Sequence, residues 1–99
     1  MRLSLIYEKR VSNLRGLTRE LQTLDGDAGV RVEGVFEGKR CFGFVTRFED
    51  TFTIVVCRAV GKSLSIPGER LAARDFRSVG ETVSFIRELS GSRPKAFVY

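Results

Sequence analysis

The segment of residues 30–71 constrains the fold of this chain more than any other feature. Short, strongly apolar stretches follow one another there, with hydrophobic residues at a period of two and tight-turn signals at Glu37-Gly38 and Glu49-Asp50-Thr51. Connections this short force neighbouring strands to run antiparallel. At Gly34 the alternation slips by one residue, which is typical of a β-bulge or a sharp bend. The segment therefore predicts an antiparallel meander that curls toward a small open barrel.

Two helices are predicted, one before the meander and one after it. Over residues 11–24, apolar side chains recur at spacings of three and four and form one stripe. A second stripe spans residues 79–89, where Ser78 and Glu81 stand in capping-box spacing and Gly91 provides a stop. Both patterns indicate amphipathic helices that bury one face.

Shorter elements complete the predicted fold. Residues 2–7, 63–66 and 71–76 suit short strands, and Pro67-Gly68 ends or kinks the second of these at a sheet edge. The tail, residues 92–99, is either frayed or docked as an extended edge. A length of 99 residues indicates a single domain, residues 1–99. We predict an α+β protein with a strongly bent antiparallel sheet, or a small open barrel, of about four or five strands and the two helices.

Phenylalanine is concentrated in the middle of the meander. Phe42, Phe44 and Phe48 share one face of their strand, because side chains alternate between the two faces. With Phe48 opposite Phe52 across the turn, that face also receives Phe52, Ile54 and Val56, and the other face of the Phe48 strand holds Cys41, Gly43 and Val45. We interpret the phenylalanine face as the core of the domain. The alternative is an exposed platform that stacks nucleic-acid bases.

The two cysteines, Cys41 and Cys57, fall within predicted strands. The register just described places them on one face without making them directly opposite. Free cysteine usually behaves as a small buried hydrophobe. We therefore expect two unpaired thiols.

The chain carries a formal net charge of +5, and most of its basic residues are arginine. Arginine presents a planar fork that suits phosphate and stacks on bases, so this balance indicates a polyanionic partner. The alternative is that the arginine excess reflects genome composition alone. We predict a small, basic, non-catalytic binding module that contacts RNA or DNA phosphates. Its candidate contacts are Lys39, Arg40, Arg47, Arg58, Lys62, Arg70 and Arg74.

Two other functions stay open at this point. A meander leaves strand edges that must be covered, charged or paired, and the apolar tail residues Phe97, Val98 and Tyr99 could add to the sheet of a neighbour. This predicts a homo-oligomer, acting as a protein-interaction module with no nucleic-acid role. The third function is a barrel that binds a small ligand, with the phenylalanine face lining a pocket.

The sequence lacks the residues that most catalytic sites require. It contains no histidine, which removes the usual general base near neutral pH and the commonest metal ligand. Its cysteines lack zinc spacing, no glycine-rich phosphate loop is present, and the adjacent carboxylates of Glu49 and Asp50 are expected to point apart on a turn. We therefore predict a protein that is not an enzyme and uses no cofactor and no metal.

Neither a membrane span nor a secretory signal is expected. No apolar run approaches the length that crosses a bilayer, and the apolar stretch at the N-terminus is too short for a secretory signal. The expected compartment is the cytoplasm, without membrane association.

Residues 30–71 also resemble the Sm-like family of small barrels. The first motif of that family is similar to the spacing of Gly38, Gly43, Val45 and Phe48-Glu49, followed by Phe52, Ile54, Val55 and Val56. The second is similar to Ile66-Pro67-Gly68 before Glu69-Arg70-Leu71. The resemblance implies a helix followed by a strongly bent five-stranded barrel. In the family an Asn and an Arg help to bind uridine-rich RNA; Thr53 and Pro67 stand at the matching positions and cannot make the same contacts.

Overall fold

An open antiparallel sheet of six strands organises the fold, and two helices pack against one of its faces. The structure is a computed structural model that describes residues 9–60 and 67–99. In chain order the elements are β1 (Lys9–Val11), α1 (Leu14–Gln22), β2 (Val30–Phe36), β3 (Lys39–Phe48), β4 (Thr51–Ala59), β5 (Pro67–Phe76), α2 (Val79–Ser90) and β6 (Lys95–Val98). The strands lie side by side in the order β1-β6-β2-β3-β4-β5. The predicted α+β class is confirmed, with an open sheet and no closed barrel.

Both helices begin at the kind of residue that caps a helix well. The side chain of Asn13 accepts a hydrogen bond from the backbone N–H of Gly16 at 2.6 Å, and α1 therefore begins three residues later than the apolar stripe suggests. Ser78 accepts from the N–H of Glu81 at 3.1 Å and donates to its carboxylate at 3.2 Å, which is the predicted capping box. Gly91, at a φ of 83°, ends α2 as predicted.

The core lies between the helices and one face of the sheet. From the strands it receives alternate residues that are fully buried: Val30, Val32, Val45, Ile54, Val56 and Ala96. From the helices it receives Leu17, Leu21, Ile86 and Leu89. Each large side chain buried in this way contributes roughly 1.5–3 kcal/mol relative to exposure. This packing fixes which face of every strand is turned toward the helices.

The phenylalanine register predicted from the sequence is wrong. Phe48 stands opposite Thr51, not Phe52, because the turn between β3 and β4 contains only Glu49 and Asp50. A shift of one residue moves every side chain of a strand to the other face. Ile54 therefore faces Val45 on the helix side. The face turned away from the helices carries the other residues of β3, among them Phe42, Phe44 and Phe48.

The same shift separates the two cysteines. Cys41 shares the helix side with the core residues, whereas Cys57 stands opposite Phe42 on the other face. Both thiols are free, as expected. Burial raises the pKa of the Cys41 thiol, and a nearby Cys57 thiolate would raise it further.

Gly34 allows α2 to approach the sheet and does not form the predicted bulge. The β2–β3 register runs unbroken through Gly34, which stands opposite Cys41. A Cβ added to Gly34 would collide with the carbonyl group of Leu89, with 2.6 Å to the carbonyl carbon. The register instead shifts between β4 and β5, on either side of Cys57. The phase slip in the sequence thus marks a close helix–strand contact.

The C-terminal strand β6 is an interior strand. It pairs with β1 on one side and with β2 on the other, so the prediction that Phe97, Val98 and Tyr99 form an open sheet edge is wrong. Just beyond β6, Tyr99 and Gly29 exchange two backbone hydrogen bonds of 2.9 and 3.0 Å. The tail is extended and docked, and its backbone groups are used within this chain.

The other predicted strands have different outcomes. Residues 71–76 are part of β5, which begins at Pro67 and pairs only with β4 among the described residues. The strands predicted at residues 2–7 and 63–66 lie outside the described residues. Among the helices that the structure describes, none is both long and apolar enough to cross a membrane.

Candidate nucleic-acid interface

The sheet face turned away from the helices, which we call the open face, carries aromatic and basic side chains in register. One row crosses all six strands, because each residue in it stands opposite the next on the neighbouring strand: Arg10, Phe97, Arg31, Phe44, Val55 and Ala73. The adjacent row contains Lys95, Glu33, Phe42, Cys57 and Arg70. The strand alternation that buries valine on the helix side therefore places these groups together.

Phe97 is held between two arginines. The guanidinium carbon of Arg31 lies 4.6 Å from the centre of the Phe97 ring, and that of Arg10 lies 5.9 Å from it. Arg31 also forms an ion pair of 3.9 Å with Glu33, and its side chain is only 14% exposed. Each cation–π contact between a guanidinium group and the Phe97 ring contributes about 0.5–2 kcal/mol. Arg31 thus helps to hold β2 and β6 in register and leaves little of itself for a ligand.

A groove of about 330 Å³ lies where β2 and β3 meet the end of α2, and residues from both faces of the sheet line it. Its basic lining consists of Arg40, Arg93 and Lys95, all exposed, and Phe42, Ala59 and Leu89 are among its apolar residues. The ion pairs within the described ranges are Lys9–Glu20, Arg31–Glu33 and Arg58–Glu69. Within those ranges the three groove cations therefore lack a carboxylate partner. Glu33 also lines the groove, but its nearest cation is Arg31.

Ser90, at the end of α2, fixes the shape of this groove. Its hydroxyl donates to the carbonyl oxygen of Glu33 at 2.7 Å and accepts from the backbone N–H of Lys95 at 3.0 Å. These two bonds join α2, β2 and β6 at one point. The position of Lys95 beside the groove thus follows from a backbone contact, not from its own flexible side chain.

Two of the predicted phosphate contacts, Arg40 and Arg70, lie on the open face. Arg40 stands opposite Val35 and lines the groove, and Arg70 stands opposite Cys57. Both are exposed. These two belong to the surface described above.

The four other predicted contacts that the structure describes do not join that surface. Lys39 and Arg74 stand opposite Phe36 and Ile54, on the helix side of the sheet, and Arg58 is paired with Glu69 at 2.9 Å. Lys62 lies outside the described residues. The seven predicted contacts therefore do not form one continuous site.

Arg47 has a structural role. Its guanidinium group donates to the carbonyl oxygen of Glu49 at 2.8 Å and to those of Gln22 and Leu24 at 3.5 and 3.4 Å. It also lies 5.2 Å from the centre of the Phe52 ring. Arg47 therefore ties the end of α1 to the β3–β4 hairpin.

Three basic residues near the site were missed from the sequence: Arg10 and Lys95 on the open face, and Arg93 in the groove. Lys95 and Phe97 alternate with buried Ala96, which is a short strand signal. What the sequence does not give is the partner of that strand, because β6 inserts between β1 and β2 with no short turn to either.

Several aromatic rings reach the surface of the open face. Tyr99 is 49% exposed and Phe48 is 76% exposed, whereas Phe44 and Phe97 are partly buried and Phe42 is 2% exposed. A Cβ built on Gly29 would lie 2.7 Å from the hydroxyl and adjoining ring carbon of Tyr99. The Tyr99 ring therefore lies down over Gly29 instead of projecting away from the sheet.

The open face can bind an anion through its groove cations and can offer flat rings to a flat ligand. It combines positive charge, aromatic surface and an apolar groove floor within one sheet. Comparison with known proteins gives no match to a family model, to a curated protein or to a solved structure.

Proposed function

We propose that this protein is a small basic module that binds nucleic acid through phosphate contacts at the groove beside the open face. The observation that supports the proposal is the groove, where Arg40, Arg93 and Lys95 converge without carboxylate partners among the described residues. Phosphate oxygens are the ligands that such unpaired guanidinium and ammonium groups prefer. The net charge of +5 would draw a polyanion toward this surface.

The contribution of each groove cation is measurable as a salt dependence. Each phosphate that is neutralised releases condensed counterions, so the logarithm of the binding constant falls with the logarithm of salt by about 0.7 to 0.9 per contact. Three contacts therefore correspond to a slope of about −2 to −3. A ligand held by apolar burial alone would show almost no such slope.

The test is fluorescence anisotropy with labelled oligonucleotides at several salt concentrations. We expect Arg40→Gln, Arg93→Gln and Lys95→Gln each to weaken binding and to reduce the slope by about one contact. Arg15→Gln is the matched control, because Arg15 is an exposed residue of α1 on the other side of the molecule and carries the same charge. The proposal fails if the wild type binds no nucleic acid at low salt, or if the control weakens binding as much as the groove variants.

Oligomerisation is a second candidate function, and one strand favours it. Among the described residues β5 pairs only with β4, so within that part of the chain its outer edge is available to a strand of a second copy. Glu69, Arg70, Arg74 and Asp75 make that edge charged, which limits promiscuous pairing. Light scattering over a concentration series tests this proposal, and a monomer at every concentration would contradict it.

The absence of catalysis and the resemblance to the Sm-like family stay predictions. Neither is needed for the proposal, since the groove and the open face are described from this chain alone.

A further inference from the structure

We propose that the groove at the end of α2 binds the end of a nucleic-acid strand, holding a terminal phosphate monoester and the nucleotide that carries it. The inference rests on the proposed function and names which phosphate of a nucleic acid the groove takes. It depends on three features of the described residues: the place where β6 begins, the size of the groove and the number of its charges.

The groove exists because β6 covers only part of β2. β6 pairs with β2 as far as Glu33, which stands opposite Lys95, and among the described residues no strand continues this pairing beside Val35. Gly29 exchanges two backbone hydrogen bonds with Tyr99 on the β6 side, and alternate residues of a strand direct their N–H and C=O groups to the same side. The backbone N–H of Val35 therefore points to the β6 side, into the space beyond Lys95 that the groove occupies.

One wall of the groove is closed by hydrogen bonds. The hydroxyl of Ser90 bridges the carbonyl oxygen of Glu33 and the backbone N–H of Lys95, at 2.7 and 3.0 Å, and all three residues line the groove. On the helix side the backbone of Leu89 lies against Gly34, where an added Cβ would be 2.6 Å from the Leu89 carbonyl carbon. A nucleic-acid strand that enters the groove therefore meets packed backbone at this wall. Such a wall accommodates the end of a strand better than its middle.

The volume of the groove suits a single nucleotide. Its volume of about 330 Å³ is near the lower limit of the range of about 300–1,000 Å³ for pockets that hold small ligands. Val35, which is 51% exposed, provides apolar surface beside the cations, and Ala59 lines the groove as well. A terminal nucleoside can pack against these two side chains while its phosphate meets the cations. A longer run of a strand does not fit within this volume.

The charges of the groove match a terminal phosphate better than an internal one. Arg40, Arg93 and Lys95 supply three positive charges. Glu33, the carboxylate of the lining, is paired with Arg31 at 3.9 Å. A phosphate monoester carries about two negative charges at neutral pH, because its second pKa is about 6. An internal phosphodiester carries one. A terminal monoester and the diester next to it therefore balance the three cations, whereas a single diester balances only one of them.

The experiment measures the fluorescence anisotropy of internally labelled single strands of one sequence, using the full chain. The strands end in a 5′-phosphate, in a 3′-phosphate or in hydroxyl groups only. We expect a phosphorylated strand to bind about 10- to 100-fold more tightly than the hydroxyl-ended strand at neutral pH and low salt.

Glutamine variants test whether the groove cations produce this preference. Arg93→Gln and Lys95→Gln should each reduce the preference for the phosphorylated strand about 3- to 10-fold. Arg74→Gln is the matched control, because Arg74 is exposed on the helix side of β5, opposite Ile54, and carries the same charge. Its preference should stay within about twofold of the wild type. Circular dichroism confirms that each variant is folded before its affinity is read.

The pH profile gives a second readout of the terminal phosphate. Protonation of the monoester below about pH 6 removes one of its two charges, so the preference for the phosphorylated strand should fall as the pH is lowered to about 5. The sequence contains no histidine, the side chain that ordinarily titrates in this range. The charged and titratable groups that line the groove are Arg40, Arg93, Lys95, Glu33 and Cys41, and burial raises the pKa of the Cys41 thiol. The hydroxyl-ended strand, measured in parallel, reports any titration of these groups.

The outcomes separate this inference from the proposed function. Binding of no strand at low salt would overturn both. Equal affinity for phosphorylated and hydroxyl-ended strands, or a preference that does not change as the pH is lowered, would overturn the strand-end assignment and leave the phosphate contacts of the groove standing. A free nucleoside monophosphate that binds as tightly as the phosphorylated strand would also overturn it, because the groove would then be a nucleotide site. A preference for a phosphorylated end that is reduced in Lys95→Gln and kept in Arg74→Gln would support the inference.

Discussion

The contact between Gly34 and α2 gives a quantitative prediction about stability. A Cβ at residue 34 would lie 2.6 Å from the Leu89 carbonyl carbon and 3.2 Å from the Leu89 Cβ, whereas ordinary contacts lie at 3.4–4 Å. The colliding atoms belong mainly to the helix backbone, and Ser90 ties that end of α2 to β2. The clash can therefore be relieved only if α2 moves away from the sheet by about 1 Å, which opens the core beneath it.

We expect Gly34→Ala to destabilise the protein by about 1–2 kcal/mol. Overpacking of this kind costs about 1–3 kcal/mol, and the reduced freedom of the unfolded chain returns about 0.4–1 kcal/mol. For a domain of this size the midpoint of thermal unfolding should fall by about 4–16 °C. Because Gly34 does not have a positive φ, backbone strain does not contribute to the loss.

Urea denaturation followed by circular dichroism measures this loss directly. Gly80→Ala is the control. Gly80 lies in the first turn of α2, and a Cβ added there would have no neighbouring atom within 4 Å. The Gly80→Ala variant should therefore be more stable than the wild type by about 0.5–1 kcal/mol. A Gly34→Ala variant as stable as the wild type, with an unchanged m-value, would refute the reasoning that glycine permits this helix–strand contact.

Three further predictions concern single side chains. Arg47→Ala should lower stability by about 1–2 kcal/mol in urea denaturation, because carbonyl groups at the end of α1 lose their donor, and should leave nucleic-acid affinity unchanged while folded; a selective loss of affinity would contradict the structural role. Glu37→Asn should raise stability by about 0.5–1 kcal/mol, because Glu37 adopts a φ of 51° in a turn that favours Asn-Gly; no gain in thermal unfolding would contradict this. Burial raises the pKa of Cys41, so its thiol in the folded protein stays protonated at pH values where a cysteine in the unfolded chain already ionises. The contribution of this shift to stability is therefore fully present below the pKa of the unfolded chain, and it is lost as the pH rises through the folded-state pKa. Iodoacetamide at neutral pH should thus modify Cys57 before Cys41, as read by mass spectrometry of peptides; faster modification of Cys41 would contradict its burial.

Local patterns in the sequence predicted the local structure well. The capping box at Ser78, the stop at Gly91 and the turn at Glu37-Gly38 all depend on residues within a few positions of one another. The helical stripes and the period-two stretches gave both helices and the meander for the same reason. The class of the fold follows from these short-range signals.

The candidate site could not be predicted because it depends on register and on distant pairing. A turn of two residues and a turn of three are both compatible with Glu49-Asp50-Thr51, yet they send the phenylalanines to opposite faces. The groove requires Lys95 beside Glu33, a pairing that joins distant parts of the chain. Of the predicted contacts that the structure describes, only Arg40 and Arg70 lie on strand positions that the correct register turns toward the open face.

The interior position of β6 has a consequence for the newly made chain. In the described structure β1 pairs only with β6, and one edge of β2 is covered only by β6. During synthesis, therefore, the first strands remain without neighbours on that side until residues 95–98 have left the ribosome. Such late, long-range closure slows folding and leaves an unpaired strand exposed to aggregation in the meantime. Chains interrupted before Lys95 should accordingly be substrates for chaperones or proteases, even though most of the sheet and both helices have already been translated.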